Sequence, residues 1–445
     1  MILDYITPPQ LDTPSTETIH QYFETSWARY EWLFSGLTHA DEVLELQPHP
    51  FRNALAFYYG HSAAFYVQKL RLAGLIDAPV DPELDQVLEC GVWPKSPGEI
   101  RNRQEWPSAK RLKTYRRRVF DLVTTLIERT EFSRPITAAD PRWALLMAIE
   151  HECIHLQTTI PLIRRVPAGL VSRPDGWEYG PNVPADSDAR WIELPGGDVQ
   201  LGRDRSDSRY FGWDNEYGAV RRVVAPFFMR SRPITNREML TFVEDGGYRK
   251  RRLWQSVEAS AWFDEMAPSQ PTAWIREDGG YRYRAIFDER EMPWDWPVLV
   301  NRHEAAAFAL WAGARLPTEA EFRHVLDQDL AASGGTLSPA CYNVNLRWGS
   351  PVPVGWLQSA IGTSGIDLLG NVARWAAEDF MALSQDDFHS HPLYEDFSRP
   401  WFRGDHGVLL GAGFSASGHL CQVTMMRDFM QNHMDQIAGI TLVKA

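Results

Sequence analysis

Between Pro141 and Pro161 the chain runs without a Gly or a further Pro, and Trp143, Leu145, Leu146, Ile149, Ile154, Leu156 and Ile160 recur at helical spacing. This predicts one long helix. Three more helical patterns, Thr18–Leu37, Arg52–Ala73 and Ala109–Thr130, precede the Pro141–Arg165 pattern, with Pro-rich or Asp/Pro-containing connections between them. Four helices of this length suggest a bundle. From about Pro167 the character changes to short segments punctuated by Gly, Pro, Asp and Asn. The expected organisation is therefore a helical domain over 1–167, a linker over 168–190 and a mixed, loop-dominated α+β domain over 191–445. Short helices are expected there at Asn236–Glu244, Arg302–Trp311 and Thr318–Val325.

The long helix carries His151 and His155, and i, i+4 spacing aims two imidazoles at one point in space. Such a pair arises by chance often enough in a chain with 13 His that it needs context. The context is His61, which lies in the aromatic, apolar run Phe57–Val67, where an unpaired polar ring would be costly. Packed side by side, the two helices would present His61, His151 and His155 as a facial set with positions open for water, oxygen or substrate. The bland alternative for His61 is a core histidine bonded to a carbonyl. A zinc hydrolase is a rival for the set, since three His also suit zinc. It would want a general base, and Glu152, one residue beyond His151, points about 100° away around the helix.

Bulk properties narrow the classes further. The chain has 445 residues, 44% of them hydrophobic, with 18 Trp, which points to aromatic-lined pockets or irregular packing. A formal charge of -13 argues against a nucleic-acid surface, and the basic cluster Lys110–Arg118 is interleaved at helical spacing as on a solvated face. Cys90, Cys153, Cys341 and Cys421 are scattered with no CxxC pair, so neither a disulfide framework nor a zinc knuckle is indicated. The segment Met1–Tyr5 lacks the features of an export signal, no stretch is long and apolar enough to span a bilayer, and a cytoplasmic protein is expected.

The second half resembles the formylglycine-generating-enzyme-like (sulfatase-modifying-factor) domain. The landmarks are Pro195-Gly196-Gly197 with Leu201-Gly202, Pro233–Glu238, Arg315–Phe322, Gly370–Trp375 and Gly411–Ser415, in that order. Cys341 and Cys421 are 80 residues apart, so the cysteine oxidation of the formylglycine enzymes is not implied. The first half resembles a DinB-like metal-binding bundle, and the fusion is similar to the non-haem iron synthases of ergothioneine, ovothiol and selenoneine. That resemblance implies a four-helix bundle joined to a C-type-lectin-related domain, with Fe(II) on His61, His151 and His155. It also implies O₂-dependent bonding of sulfur or selenium to the imidazole of histidine or hercynine, the trimethylated histidine. Phe57–His61, Tyr342–Ser350 and His391–Ser398 are the landmarks nearest the ovothiol branch (5-histidylcysteine sulfoxide synthase).

Departures from the family pattern bear on the substrate. Gln157 replaces the usual Glu after the last ligand and is read as an orienting group behind the metal. The relatives' Arg-x-Tyr-Arg reads Lys113-Thr114-Tyr115-Arg116, with Lys113 and Arg116 as candidates for holding the donor. The C-terminal pocket segment Met426–Gln436 contributes Arg427, Asp428, Phe429, Gln431 and Asn432, where amides and acids stand in place of arginines. Amides and acids suit hydroxyl groups rather than carboxylates, so a seleno-sugar donor is favoured, as in selenoneine synthases. Cysteine or γ-glutamylcysteine is the alternative, in an ovothiol- or ergothioneine-type reaction. Tyr394, with His433 as substitute, is the candidate proton donor. Expected partners are small molecules only, namely a histidine derivative, a thiol or seleno-sugar and O₂, acting on a monomer or homodimer. A non-catalytic ligand-binding module is the reading of another class.

Overall fold

The computed structural model describes residues 7–38, 40–89, 106–185, 188–332, 342–357, 365–422 and 427–445. Cys90, Cys341, Met426 and the Met1–Tyr5 segment lie outside them. The two described cysteines, Cys153 and Cys421, are buried thiols. Among the described residues no helix is long and apolar enough to cross a membrane.

The first half is built on α1 (Thr16–Phe34), α2 (Ala40–Leu44), α3 (Leu55–Leu72), α4 (Pro82–Val87), α5 (Ala109–Arg129) and α6 (Trp143–Arg164). The four long helices close into a bundle in which α3 packs on α6 and α5, and α1 on α6 and α5. Their starts and stops follow local chemistry. The Ser15 hydroxyl accepts from the Thr18 amide at 3.1 Å to cap α1, and Ser108 does the same for α5. Amphipathic α5 buries Leu112, Tyr115, Val119, Val123 and Ile127 on one stripe. By contrast, α3 and α6 are buried around most of their circumference, because neighbours cover them on both sides. Pro161 sits within α6, which continues to Arg164.

The second half holds twelve short strands among the described residues, of two to seven residues each, in four small sheets. One of these sheets reaches the site through Asp428 and Phe429. Strand β10 (Asp428–Gln431) runs antiparallel to β9 (His406–Leu410), which pairs with β8 (Ala373–Asp379). Its helices are α7 (Asn236–Glu244), α8 (Val257–Met266), α9 (Arg302–Trp311) and α10 (Glu319–Ala332). The first and third begin in capping boxes, Thr235 with Glu238 and Asn301 with Glu304. The expected α7 and α9 are found at the predicted residues, the third runs seven residues past Val325, and α8 had no counterpart in the sequence reading.

The halves share one core. A single buried cluster joins Tyr22, Tyr58, Leu146 and Ile149 of the bundle to Phe211, Trp213, Phe287, Leu346, Phe397 and Ile437 of the second half. Polar ties reinforce it. The Glu150 carboxylate accepts from the Tyr22 hydroxyl and, at 2.9 Å, from the His419 amide, while the His419 ring meets Glu216 at 2.8 Å. Gln157 donates to Asp428 at 2.6 Å, and Arg165 pairs with Asp435.

Candidate metal centre

His151 and His155 stand one turn apart on α6, and His61 faces them from α3. One nitrogen from each ring lies within 4.8 Å of the other two, and the Nε2 atoms of His151 and His155 are 3.2 Å apart. All three residues are buried. Burial lowers the pKa of His61 to about 4. It also lowers those of His151 and His155, helped by the neighbouring histidines. The rings are therefore neutral at pH 7 and keep lone pairs for a metal. The tautomer of His61 is set by its surroundings: Nδ1 is 2.6 Å from the Leu88 carbonyl and must donate to it. That leaves Nε2 as an acceptor, and it is buried with no hydrogen-bond partner among the described residues. A buried lone pair without a partner, converging with two more imidazoles, is what a divalent ion would satisfy. The residues present fit a metal.

Glu152, the residue after His151, is turned into the bundle. Its carboxylate is 3.2 Å from Arg116, 3.2 Å from the Ser62 hydroxyl and 3.2 Å from the Tyr66 hydroxyl. It is not poised as a base for a zinc hydrolase.

The remaining predicted site residues divide by location. Tyr394 is brought to the triad, its ring centroid 6.1 Å from that of His151. Burial, with Asp396 and Asp214 adding to it, raises its pKa so that the phenol keeps its proton. Around it lie aromatic rings the sequence reading did not single out: Phe65 at 5.1 Å, Phe397 at 5.4 Å and Trp213 at 6.4 Å. Beside them Asp214 is buried, held by the Ser398 hydroxyl at 2.5 Å through one oxygen while the other has no partner among the described residues. Burial lifts its pKa to about 7. Asp428 is raised to about 6 for the same reason. Phe429 stacks on Phe380 at 3.9 Å and reaches Phe397 at 5.8 Å.

The other expected site residues have these surroundings. Gln157 does not turn its amide to a triad ring; the bond it donates goes to Asp428, tying α6 to β10. Arg116 is 1% exposed and spends its N–H groups on Glu31 (2.5 Å), Glu152 (3.2 Å), Ser62 (2.7 Å) and the Tyr59 carbonyl (2.9 Å). It is a clamp inside the bundle. Arg427 pairs with Glu319 at 2.7 Å and donates to the Met381 carbonyl. Lys113 lines a cavity of about 370 Å³ with Glu31, Phe34 and Tyr59. Asn432 donates to Glu258 at 2.7 Å and lines a different cavity of about 500 Å³ with Arg302 and His303. Gln431 is half-buried and its amide oxygen has no partner. His433 packs against His49 and Phe51, 6.4 and 5.7 Å between ring centroids, apart from the triad's own ring contacts. Sequence proximity in 427–433 did not translate into one pocket, because alternate residues of β10 face opposite ways.

Fold and site together define a two-domain protein in which a helical bundle bearing three converging histidines is sealed by a loop-rich α+β domain. The chain belongs to the sulfatase-modifying factor enzyme 1-like domain family, whose profile it matches over residues 181–445, and it matches the DinB superfamily over residues 22–159. Among curated relatives it is 30% identical over 295 residues to the hercynine oxygenase of Mycolicibacterium smegmatis, covering 62% of this chain and 66% of that protein. It is 21% identical over 424 residues to ergothioneine biosynthesis protein 1 of Schizosaccharomyces pombe, covering 86% of this chain and 50% of that one. It is also 30% identical over 230 residues to the formylglycine-generating enzyme of Thermomonospora curvata, 45% of this chain and 73% of the relative. The chain thus spans about half to two thirds of the length of the first two relatives.

Proposed function

We propose that this protein is a non-haem iron oxidoreductase that joins a chalcogen to the imidazole of hercynine. The observation that carries the reading is the buried set His61, His151 and His155, three neutral nitrogen donors, which would leave the other positions of a six-coordinate ion to water, O₂ or substrate. The similarity to a protein named hercynine oxygenase supports the choice of substrate. Bound in this set, Fe(II) would activate O₂, and O₂ would be the four-electron oxidant for carbon–sulfur or carbon–selenium bond formation and for the oxygen ending on the chalcogen, its other oxygen leaving as water. The chain's residues supply the rest. Tyr394, protonated with its ring 6.1 Å from that of His151, would give the proton. Trp213, Phe397 and the partner-less oxygen of Asp214 offer the aromatic and acidic surroundings that suit a quaternary ammonium.

For the donor we favour a seleno-sugar over cysteine or γ-glutamylcysteine. Arg116, in the segment that the resemblance ties to donor carboxylates, and Arg427, of the C-terminal pocket segment, are both engaged by the protein's own acids. An amino-acid donor would find those forks occupied, whereas a donor without a carboxylate does not need them.

The test is to load the protein with ferrous iron and supply hercynine or histidine with cysteine, γ-glutamylcysteine or a 1-seleno-sugar, following oxygen uptake and product mass. A selenium adduct of hercynine is expected. Efficient turnover of cysteine with histidine would move the protein to the ovothiol-type reaction. Stoichiometric ligand binding without oxygen uptake on any pair would leave a binding module. His151→Ala and His155→Ala are expected to abolish iron loading, read by metal analysis.

A further inference from the structure

His61, Phe65 and Lys69 stand at i, i+4 and i+8 on α3 and so share one face of that helix. The Phe65 ring lies flat on the imidazole of His151, with centroids 3.5 Å apart and planes within 8°. Lys69 Nζ lies 4.8 Å from the Phe65 centroid and 4.3 Å from that of Tyr394, and it donates to the Leu393 carbonyl at 2.6 Å. An ammonium has three N–H groups, and these surroundings offer it one carbonyl and two π faces. The turn it grips is closed on its other side. The Tyr394 amide donates to the His391 carbonyl at 2.9 Å, the His391 ring accepts from the Leu393 amide at 3.1 Å, and its far nitrogen is 3.0 Å from the Ala138 carbonyl.

Metal-binding imidazoles are normally held in place by a group behind the ring; among the described residues no protein group meets Nδ1 of His151. The flattest and nearest ring contact of His151 is with the face of Phe65. We infer that Lys69 and Phe65 are positioning residues, a cation–aromatic clamp that orients His151 by stacking. The same clamp fixes the 391–394 turn so that Tyr394 stands beside the triad. The inference rests on the reading of the triad as a metal centre for its first half, and on the contacts of Lys69 with the 391–394 turn for its second.

Two measurements test the halves separately. Ferrous affinity, by anaerobic competition with a chromogenic chelator, is expected to fall about 10-fold in Lys69→Met and Phe65→Leu, the lower end of what removing a group behind a metal ligand does. Lys69→Arg, which keeps a cation and a donor, is expected to restore it. In metal-free protein labelled with 3-fluorotyrosine, the ¹⁹F resonance of residue 394, assigned by its loss in Tyr394→Phe, is expected to move in Lys69→Met and return in Lys69→Arg. Far-UV circular dichroism and the melting midpoint establish that each variant is folded, and Phe65→Tyr keeps the stack if Phe65→Leu does not fold. Unchanged affinity together with an unmoved resonance in folded Lys69→Met would overturn the clamp, as would losses that arginine does not rescue. Should wild-type protein bind no ferrous ion, the metal reading falls, and the fluorine resonance still decides whether Lys69 positions Tyr394.

Discussion

Glu150 and Glu152 bracket His151, and both are buried, yet they serve opposite sides of α6: one faces Tyr22 and His419, the other Arg116, Ser62 and Tyr66. The Arg116 network is the more demanding, since its two carboxylate partners lose compensation if the cation is removed. Arg116→Met is expected to destabilise the protein by about 3–5 kcal/mol, read by denaturant unfolding. Arg116→Lys is not expected to recover it, because an ammonium cannot reach the same four acceptors. A second residue-scale expectation concerns His49, buried beside Arg165 and Asp435. Burial first, then Arg165, lowers its pKa to about 3. The folded state therefore keeps it neutral while the unfolded chain protonates below about 6.5. Its contribution is intact above that pH and is lost as the pH falls toward 3. Relative to His49→Asn, wild-type stability is expected to drop by roughly 1.4 kcal/mol per pH unit across that window, measured by chemical unfolding at a series of pH values. The metal ligands were legible because helical spacing fixes where i and i+4 point. The use of Arg116 was not, because its partners Glu31 and Glu152 lie 85 and 36 residues away.

At the scale of elements, the side of α6 that bears Glu150 and Cys153, next to its two triad histidines, is docked through the short 3₁₀ turn Gly418–Cys421. Gly418 has φ +58°, and a Cβ there would come within 2.4 Å of the Tyr22 hydroxyl, 2.9 Å of Cys153 Sγ and 2.9 Å of Glu150. Gly418→Ala is thus expected to lower the melting midpoint, with a loss of about 1–3 kcal/mol from strain and overpacking. The four long helices were readable from apolar spacing and from caps such as Ser15 and Ser108. Helix α8 was not, because only Ala259 of its residues is buried and Val257 is 90% exposed, so no apolar stripe marks it. The strands were equally faint, being mostly two to five residues long and too short for an alternating pattern to stand out.

Taken as a molecule, the chain divides in sequence near residue 167 but not in its core. The buried cluster that begins at Leu11 passes through the bundle and ends at Ile437. Separating the halves would expose Trp143, Phe211, Phe397 and their neighbours together. A single calorimetric unfolding transition is therefore expected, and two resolved peaks would show that the shared core contributes little to cooperativity. Composition could reveal the change of texture between the halves, but not that aromatic rings from both would interleave, since that depends on how the domains meet.

The three imidazoles bring no negative charge to whatever ion they hold, and Glu152 is committed elsewhere. Nitrogen donors of this kind rank first-row divalent ions in the ordinary order, with zinc and copper ahead of iron. Selectivity for iron is consequently not written into the nest itself. Which element a preparation contains will track the growth medium, so cultures rich in zinc should yield a well-folded but oxygen-inert protein.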